Sequence, residues 1–181
     1  MIPEARLQQS ESGLAPAGEG WFVINAREAR WRHAEGRGAL LSFDGEPEFP
    51  QVGINLFVLA PGEPMGMYHW EADQEDFLVL SGEALLIVEG EERPLRQWDF
   101  AHCPPGTDHI IVGAGEVPCA VLAIGAREHQ ASAKWGGYPV EEVALRYRAG
   151  VDRATTEPDE AYARVPKREP ASYREGWLPD G

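Results

Sequence analysis

Between positions 21 and 127 apolar and polar residues alternate in short β-rich runs broken by Gly, Pro and Asp, the pattern of an antiparallel barrel or sandwich. The runs fall at 21–25, 39–43, 51–60, 76–80, 84–88, 100–103, 109–112 and 119–124, with Ser81-Gly82 and Glu89-Gly90 as expected tight turns. The unbroken apolar stretch 85–88 fits a strand covered on both faces, whereas alternation elsewhere fits strands with one wet face. Two packed sheets around a core satisfy both, so an all-β fold is expected.

The pattern changes after Arg127. Val140, Val143, Ala144 and Tyr147 recur at helical spacing behind Pro139, which predicts a short amphipathic helix. A second helix is expected from Thr156, which can cap free backbone donors, while Glu157 and Asp159 complement the helix dipole. The stretch 166–181 reads as an irregular arm whose Tyr173, Trp177 and Leu178 are expected to pack on the barrel or on a second subunit. The organisation expected is an N-terminal extension over 1–20, a β-barrel over 21–127, and a C-terminal helical segment and arm over 128–181. Barrel edges in need of cover, together with the apolar arm, predict a homodimer.

With 181 residues and an apolar share of 43%, one buried core is the expectation. The first 20 residues carry Glu4, Glu11 and Glu19 and no long apolar run, so neither a signal peptide nor a membrane anchor is read there, and a cytoplasmic location is expected. Cys103 and Cys119 form no disulfide framework and read as buried thiols. A net charge of −14 with scattered Lys and Arg repels phosphate backbones and anionic lipid, which argues against nucleic acid and membrane partners.

The chemistry concentrates between His69 and His109. His69 and Glu71 are two apart, so on a strand both side chains leave one face and can share a target. Glu75 lies one short turn on, and His109 follows the turn-forming Pro104-Pro105-Gly106, so distant parts of the chain converge inside a barrel. Imidazole and carboxylate together suit one divalent transition metal ion: Fe, Mn, Zn, Ni or Co. His102 and Cys103, as strand neighbours, point to opposite faces, and both read as packing residues. Met65, Met67, Tyr68 and Trp70 read as core or interface rather than ligand contacts, and His33 and His129 as surface residues.

In these motifs the chain resembles the cupin superfamily. His69, Glu75 and Gly82 stand in register with the first cupin motif, with Glu71 in place of its second His and Gly62 one position early for its opening Gly. Pro104, Gly106 and His109 match the second motif, where Trp98 replaces the first Gly and Gly113 the last Asn. The resemblance implies a double-stranded β-helix, a jelly-roll barrel, with a metal held by His69, Glu71, Glu75 and His109. Two readings of Glu71 remain open. As a fourth ligand it gives two carboxylates that neutralise the ion and weaken it as a Lewis acid. As a free general base, the catalytic role, it leaves His69, Glu75 and His109 as a two-His, one-carboxylate triad like that of non-haem iron oxygenases. The resemblance implies a metal-dependent enzyme, oxygenase- or isomerase-like, acting on a small organic molecule. The alternatives are a non-catalytic module binding a small ligand and a structural or storage role.

Overall fold

The computed structural model describes residues 1–179. The strands β1 (Arg6–Ser10) and β2 (Gly13–Ala17) form an N-terminal hairpin, and β3 (Trp31–Ala34), β4 (Gly38–Ser42) and β5 (Val52–Leu59) lead into the body. β6 (Trp70–Glu71), β7 (Glu75–Ser81), β8 (Glu83–Val88), β9 (Glu91–Arg96), β10 (Phe100–Cys103), β11 (His109–Ala114) and β12 (Cys119–Ala126) complete it. β13 (Gly136–Gly137), α1 (Glu142–Arg146), α2 (Pro158–Ala161) and β14 (Glu169–Ala171) follow.

All named strand pairs are antiparallel. A seven-stranded sheet in the order β10-β7-β12-β5-β4-β3-β14 faces a three-stranded sheet in the order β11-β8-β9, and β13 pairs with β6. These are the two layers of a jelly roll, and no continuous hydrogen-bonded barrel closes among the described residues. Strand β5 shows why the end of its run, 56–59, is unbroken apolar. Phe57 and Leu59 enter the core between the sheets, whereas Leu56 and Val58 face a second core with Trp31, Ala39 and Leu41 on the outer side. The C-terminal arm closes that outer core: β14 pairs with β3, and Tyr173, Trp177 and Leu178 pack against it. The arm's apolar residues therefore lie against their own chain and leave the arm-based case for a homodimer without support. No helix among the described residues is long and apolar enough to cross a membrane.

The two expected turns do different work. Glu89 and Gly90, with φ of 49° and 75°, form the two-residue turn that joins β8 to β9 with the right twist. Ser81-Gly82 is instead a corner, because β7 and β8 belong to different sheets. Gly82 has φ of 72°, and a Cβ there would lie 2.8 Å from the Cα of Cys119, so only glycine fits.

Several expectations are corrected. The run 21–25 is not a strand: Trp21 makes one isolated bridge to Glu4, and 22–25 has no regular structure. The first helix begins at Glu142, capped by the Glu141 carboxylate, which accepts from the Val143 N–H at 3.1 Å, and Val140 stays outside it, exposed. The second begins at Pro158, and the Thr155 hydroxyl rather than that of Thr156 accepts from the Glu157 N–H, at 3.1 Å. His33 is not a plain surface residue, since its ring stacks on Trp177 with centroids 5.7 Å apart. Cys103 and Cys119 are buried free thiols, and burial pushes them up to about 12 and about 11 respectively, which keeps both protonated.

Candidate metal centre

Backbone pairing brings the two histidines together. The His69 N–H donates to the His109 carbonyl at 3.1 Å and the His109 N–H to the His69 carbonyl at 2.8 Å, so the residues sit directly opposite as a bridged pair. Their ring centroids are 5.1 Å apart. Glu75, the first residue of β7, reaches both: its Oε2 lies 3.3 Å from Nε2 of His69 and 3.0 Å from Nε2 of His109. Glu71, at the end of β6, places Oε1 3.4 Å from Nε2 of His69, so the expected sharing of a face between these two residues is met.

The hydrogen bonds behind the rings decide what their front edges can do. Nδ1 of His69 lies 2.8 Å from the Met67 carbonyl, and Nδ1 of His109 lies 2.9 Å from the Thr107 carbonyl. A carbonyl only accepts, so each Nδ1 carries a proton, which leaves Nε2 as the ring nitrogen that faces Glu75 and that can ligate an ion. Two ring nitrogens and a carboxylate oxygen, all able to ligate a metal ion, therefore converge. Glu75 Oε2 and His109 Nε2 are buried without a hydrogen-bond partner, although they are in ion-pair contact. Buried polar atoms left in this way are costly, and one divalent cation satisfies all three. The ligand atoms of His69, Glu75 and His109 lie within 4.8 Å of one another, a spacing that fits a single ion. Glu71 is not in that set, and its side chain is 28% exposed against 17% for Glu75.

Without an ion, protons substitute for it. Burial would raise the Glu75 carboxyl, but its contacts with His109 and His69 win and hold it well below the usual carboxylate range. Burial would lower His69, but Glu71 and Glu75 win and raise it well above its ordinary 6.5. The stability from Glu75 is complete above its ordinary 4.5 and fades as pH falls through its depressed value. That from His69 is complete below 6.5 and fades as pH rises through its raised value. Metal-free protein is therefore expected to melt highest between pH 4.5 and 6.5 and to lose stability as pH rises through the raised His69 value. With saturating Zn or Mn the high-pH loss should vanish, because the ion displaces the proton. Melting curves with chelator and with metal check this, and parallel pH profiles would count against it.

The remaining sequence candidates separate cleanly. His102 is not a packing residue: it is exposed and pairs with Asp76 at 2.6 Å on the outside of β10. His129 is exposed and pairs with Asp73 at 2.7 Å, and these two with Glu128 form a second acidic group. Both oxygens of Asp73 already accept from the backbone and ring of His129, so this group reads as a loop clamp. Met67 and Tyr68 are core residues, and the Tyr68 hydroxyl accepts from the Gly90 N–H at 3.1 Å. Met65 lines the cavity described next.

The candidate metal centre opens into a cavity of about 430 Å³ lined in part by Phe57, Met65, Phe77, Ile110 and Tyr162. Arg37, Arg127 and Arg168 also line it, and sequence reasoning missed all three. They come from a turn, a strand exit and the arm, with no spacing that links them to the motifs, so no sequence signal marks them.

Fold and site together define a small jelly-roll protein with a buried His and Glu centre. Residues 55–125 match the family model for the cupin domain, and the chain contains a cupin domain that carries all four candidate ligands. No curated protein matches the chain. Among solved structures it is similar to a candidate sugar phosphate isomerase from Acidithiobacillus ferrooxidans, with 32% identity over 42% of this chain and 51% of that one, TM-score 0.41. It is also similar to a cupin-superfamily sugar phosphate isomerase from Silicibacter pomeroyi, with 27% identity over 56% of this chain and 62% of that one, TM-score 0.45. The similarity thus spans 51% and 62% of the lengths of these two proteins. An oxalate decarboxylase candidate from Thermotoga maritima, 20% identical over 57% of this chain and 97% of that one with TM-score 0.51, shares the fold.

Proposed function

We propose that this protein is a metal-dependent enzyme acting on a small organic molecule, at a divalent transition metal ion held by His69, Glu75 and His109, with Glu71 as the adjacent proton acceptor. The observation that carries the metal is the convergence of the His69 and His109 Nε2 atoms on the Glu75 carboxylate, with His109 Nε2 and Glu75 Oε2 buried and without a hydrogen-bond partner. Fe, Mn, Zn, Ni and Co all accept this donor set. Bound there, such an ion supplies Lewis-acid polarisation of a substrate oxygen. The protein's own residues do the rest. The Met67 and Thr107 carbonyls fix both imidazole tautomers, and the apolar walls from Phe57, Phe77 and Ile110 keep the site poor in water.

For Glu71 the grouping favours the base over the fourth ligand. Its carboxylate lies in the cavity wall, more exposed than Glu75 and outside the mutually close trio. A carboxylate there can take a proton from a substrate held at the ion, which suits isomerisation and related proton-transfer chemistry. Glu71→Gln is expected to keep full metal content and to lose turnover by about 100-fold or more, because the amide cannot accept the proton. The check is metal analysis alongside deuterium incorporation from heavy water into a panel of small keto and hydroxy acids. Metal loss in both Glu71→Gln and Glu71→Ala would return Glu71 to the ligand set, and absence of turnover on every substrate would favour a ligand-binding module.

A further inference from the structure

The cavity contains a buried charge that the metal centre does not use. Arg37, in the turn between β3 and β4, is 5% exposed, and its Nε and Nη1 have no hydrogen-bond partner. Its guanidinium lies over the Tyr162 ring at 5.2 Å, a contact that positions it without neutralising it. No carboxylate pairs with it among the described residues. The nearby Glu63 carboxylate is occupied by the N–H groups of Gly36 at 3.0 Å and Ala60 at 2.9 Å.

A second cation stiffens this wall. Arg168 donates to the carbonyls of Arg37, Gly38 and Met65, the last at 2.9 Å, so the arm locks the turn that carries Arg37. Burial and the neighbouring Arg37 push Arg168 down to about 10, still cationic at neutral pH. An unpaired buried guanidinium beside a like charge is strongly disfavoured unless an anion arrives from outside. In a chain of net charge −14, the wall formed by Arg37 and Arg168 is a local reversal of the overall field, opposite the carboxylates of Glu71 and Glu75.

We infer that Arg37 anchors an anionic ligand, a small organic carboxylate whose carboxylate accepts from the Arg37 guanidinium while its other oxygens face His69, Glu75 and His109. The inference rests on the proposed metal centre for the far end of the ligand and deepens that reading by naming the substrate's charge. A carboxylate fits better than a phosphate. The Arg168 Nε and Nη2 donors are already on carbonyls, and neither a glycine-rich nest nor a helix N-terminus lines the cavity, so one negative charge is matched and two are not. The volume of about 430 Å³ limits the ligand to a small molecule.

The test titrates malonate, inorganic phosphate and uncharged malonamide calorimetrically into metal-loaded wild type, Arg37→Met and Arg37→Lys, and malonate into metal-free wild type. Malonate should bind wild type, and Arg37→Met should weaken it by about 10- to 100-fold with unchanged metal content, as loss of a charged hydrogen bond does. Arg37→Lys should recover part of the loss, and malonamide should bind no better than malonate does to Arg37→Met. In ligand-free protein Arg37→Met should raise the melting temperature, because it removes an uncompensated buried charge. A lowered melting temperature would mark Arg37 as structural and overturn the inference. So would malonate affinity in Arg37→Met within threefold of wild type, a preference for phosphate, or no malonate binding at all. Malonate binding that depends on Arg37 in a protein that takes up no metal would uphold the carboxylate anchor and remove the metal reading, so the two fail separately.

Discussion

Glu75→Ala is expected to reduce bound metal from about one ion per chain to background after purification without an affinity tag and dialysis against metal-free buffer. Glu75 lies between the two rings, with Oε2 3.3 Å and 3.0 Å from their Nε2 atoms, and it supplies the only negative charge among the three donors. Loss of a residue that merely orients a ligand costs about 10- to 100-fold in affinity, so loss of the charged ligand itself should cost more than about 100-fold. Glu75→Gln keeps the volume and the strand position but replaces the anionic oxygen with a neutral amide, and it should fall close to Ala. Elemental analysis of wild type and both variants, with circular dichroism to verify the sheet, decides the matter. Stoichiometric metal in Glu75→Ala would remove the centre as described. Wild type that stays metal-free after reconstitution with Fe, Mn, Zn, Ni and Co salts would do the same.

The residues of this centre were readable in the sequence because they obey local rules. His69 and Glu71 share a face by strand alternation, and Pro104-Pro105-Gly106 announces the turn that delivers His109 opposite His69. Two of the strands that escaped detection, β1 and β9, lack apolar alternation. The sequences RLQQS of β1 and EERPLR of β9 are polar on nearly every position. β9 and β14 are edge strands, where charge and proline protect against further pairing, so Pro94 and Pro170 reflect placement at a sheet border. The cationic wall was hidden for a different reason. Arg37 and Arg168 meet only because β14 returns across the sheet to pair with β3, a contact between positions 131 apart that no local spacing encodes. The arm was legible as apolar, but the strand within it was not.

Trp31→Ala is expected to destabilise the protein by about 3–5 kcal/mol, the usual cost of deleting a large buried aromatic side chain. Trp31 is fully buried, and its ring contacts Trp177 and Tyr173 of the arm with centroids 5.1 Å and 6.3 Å away. Its indole N–H also donates to the Ala26 carbonyl at 2.8 Å, a bond that alanine cannot replace. For a chain of this size each kcal/mol moves the melting temperature by about 2–4 °C, so the fall should be roughly 6–20 °C. The same variant separates the two sides of the large sheet. Glu75 on β7 and His109 on the facing sheet, with His69 bridged to it, lie outside the core that holds Trp31, so metal content at 20 °C below the variant's midpoint should stay at wild-type level. The arm, released from its aromatic anchor, should no longer hold Arg168 against the turn that carries Arg37, and malonate affinity should drop while metal remains. Denaturant titration, metal analysis and calorimetry on the one variant measure all three. A loss below about 1 kcal/mol would show that the arm is not anchored through Trp31. Parallel loss of metal and malonate would show instead that the outer core and the metal centre are one cooperative unit.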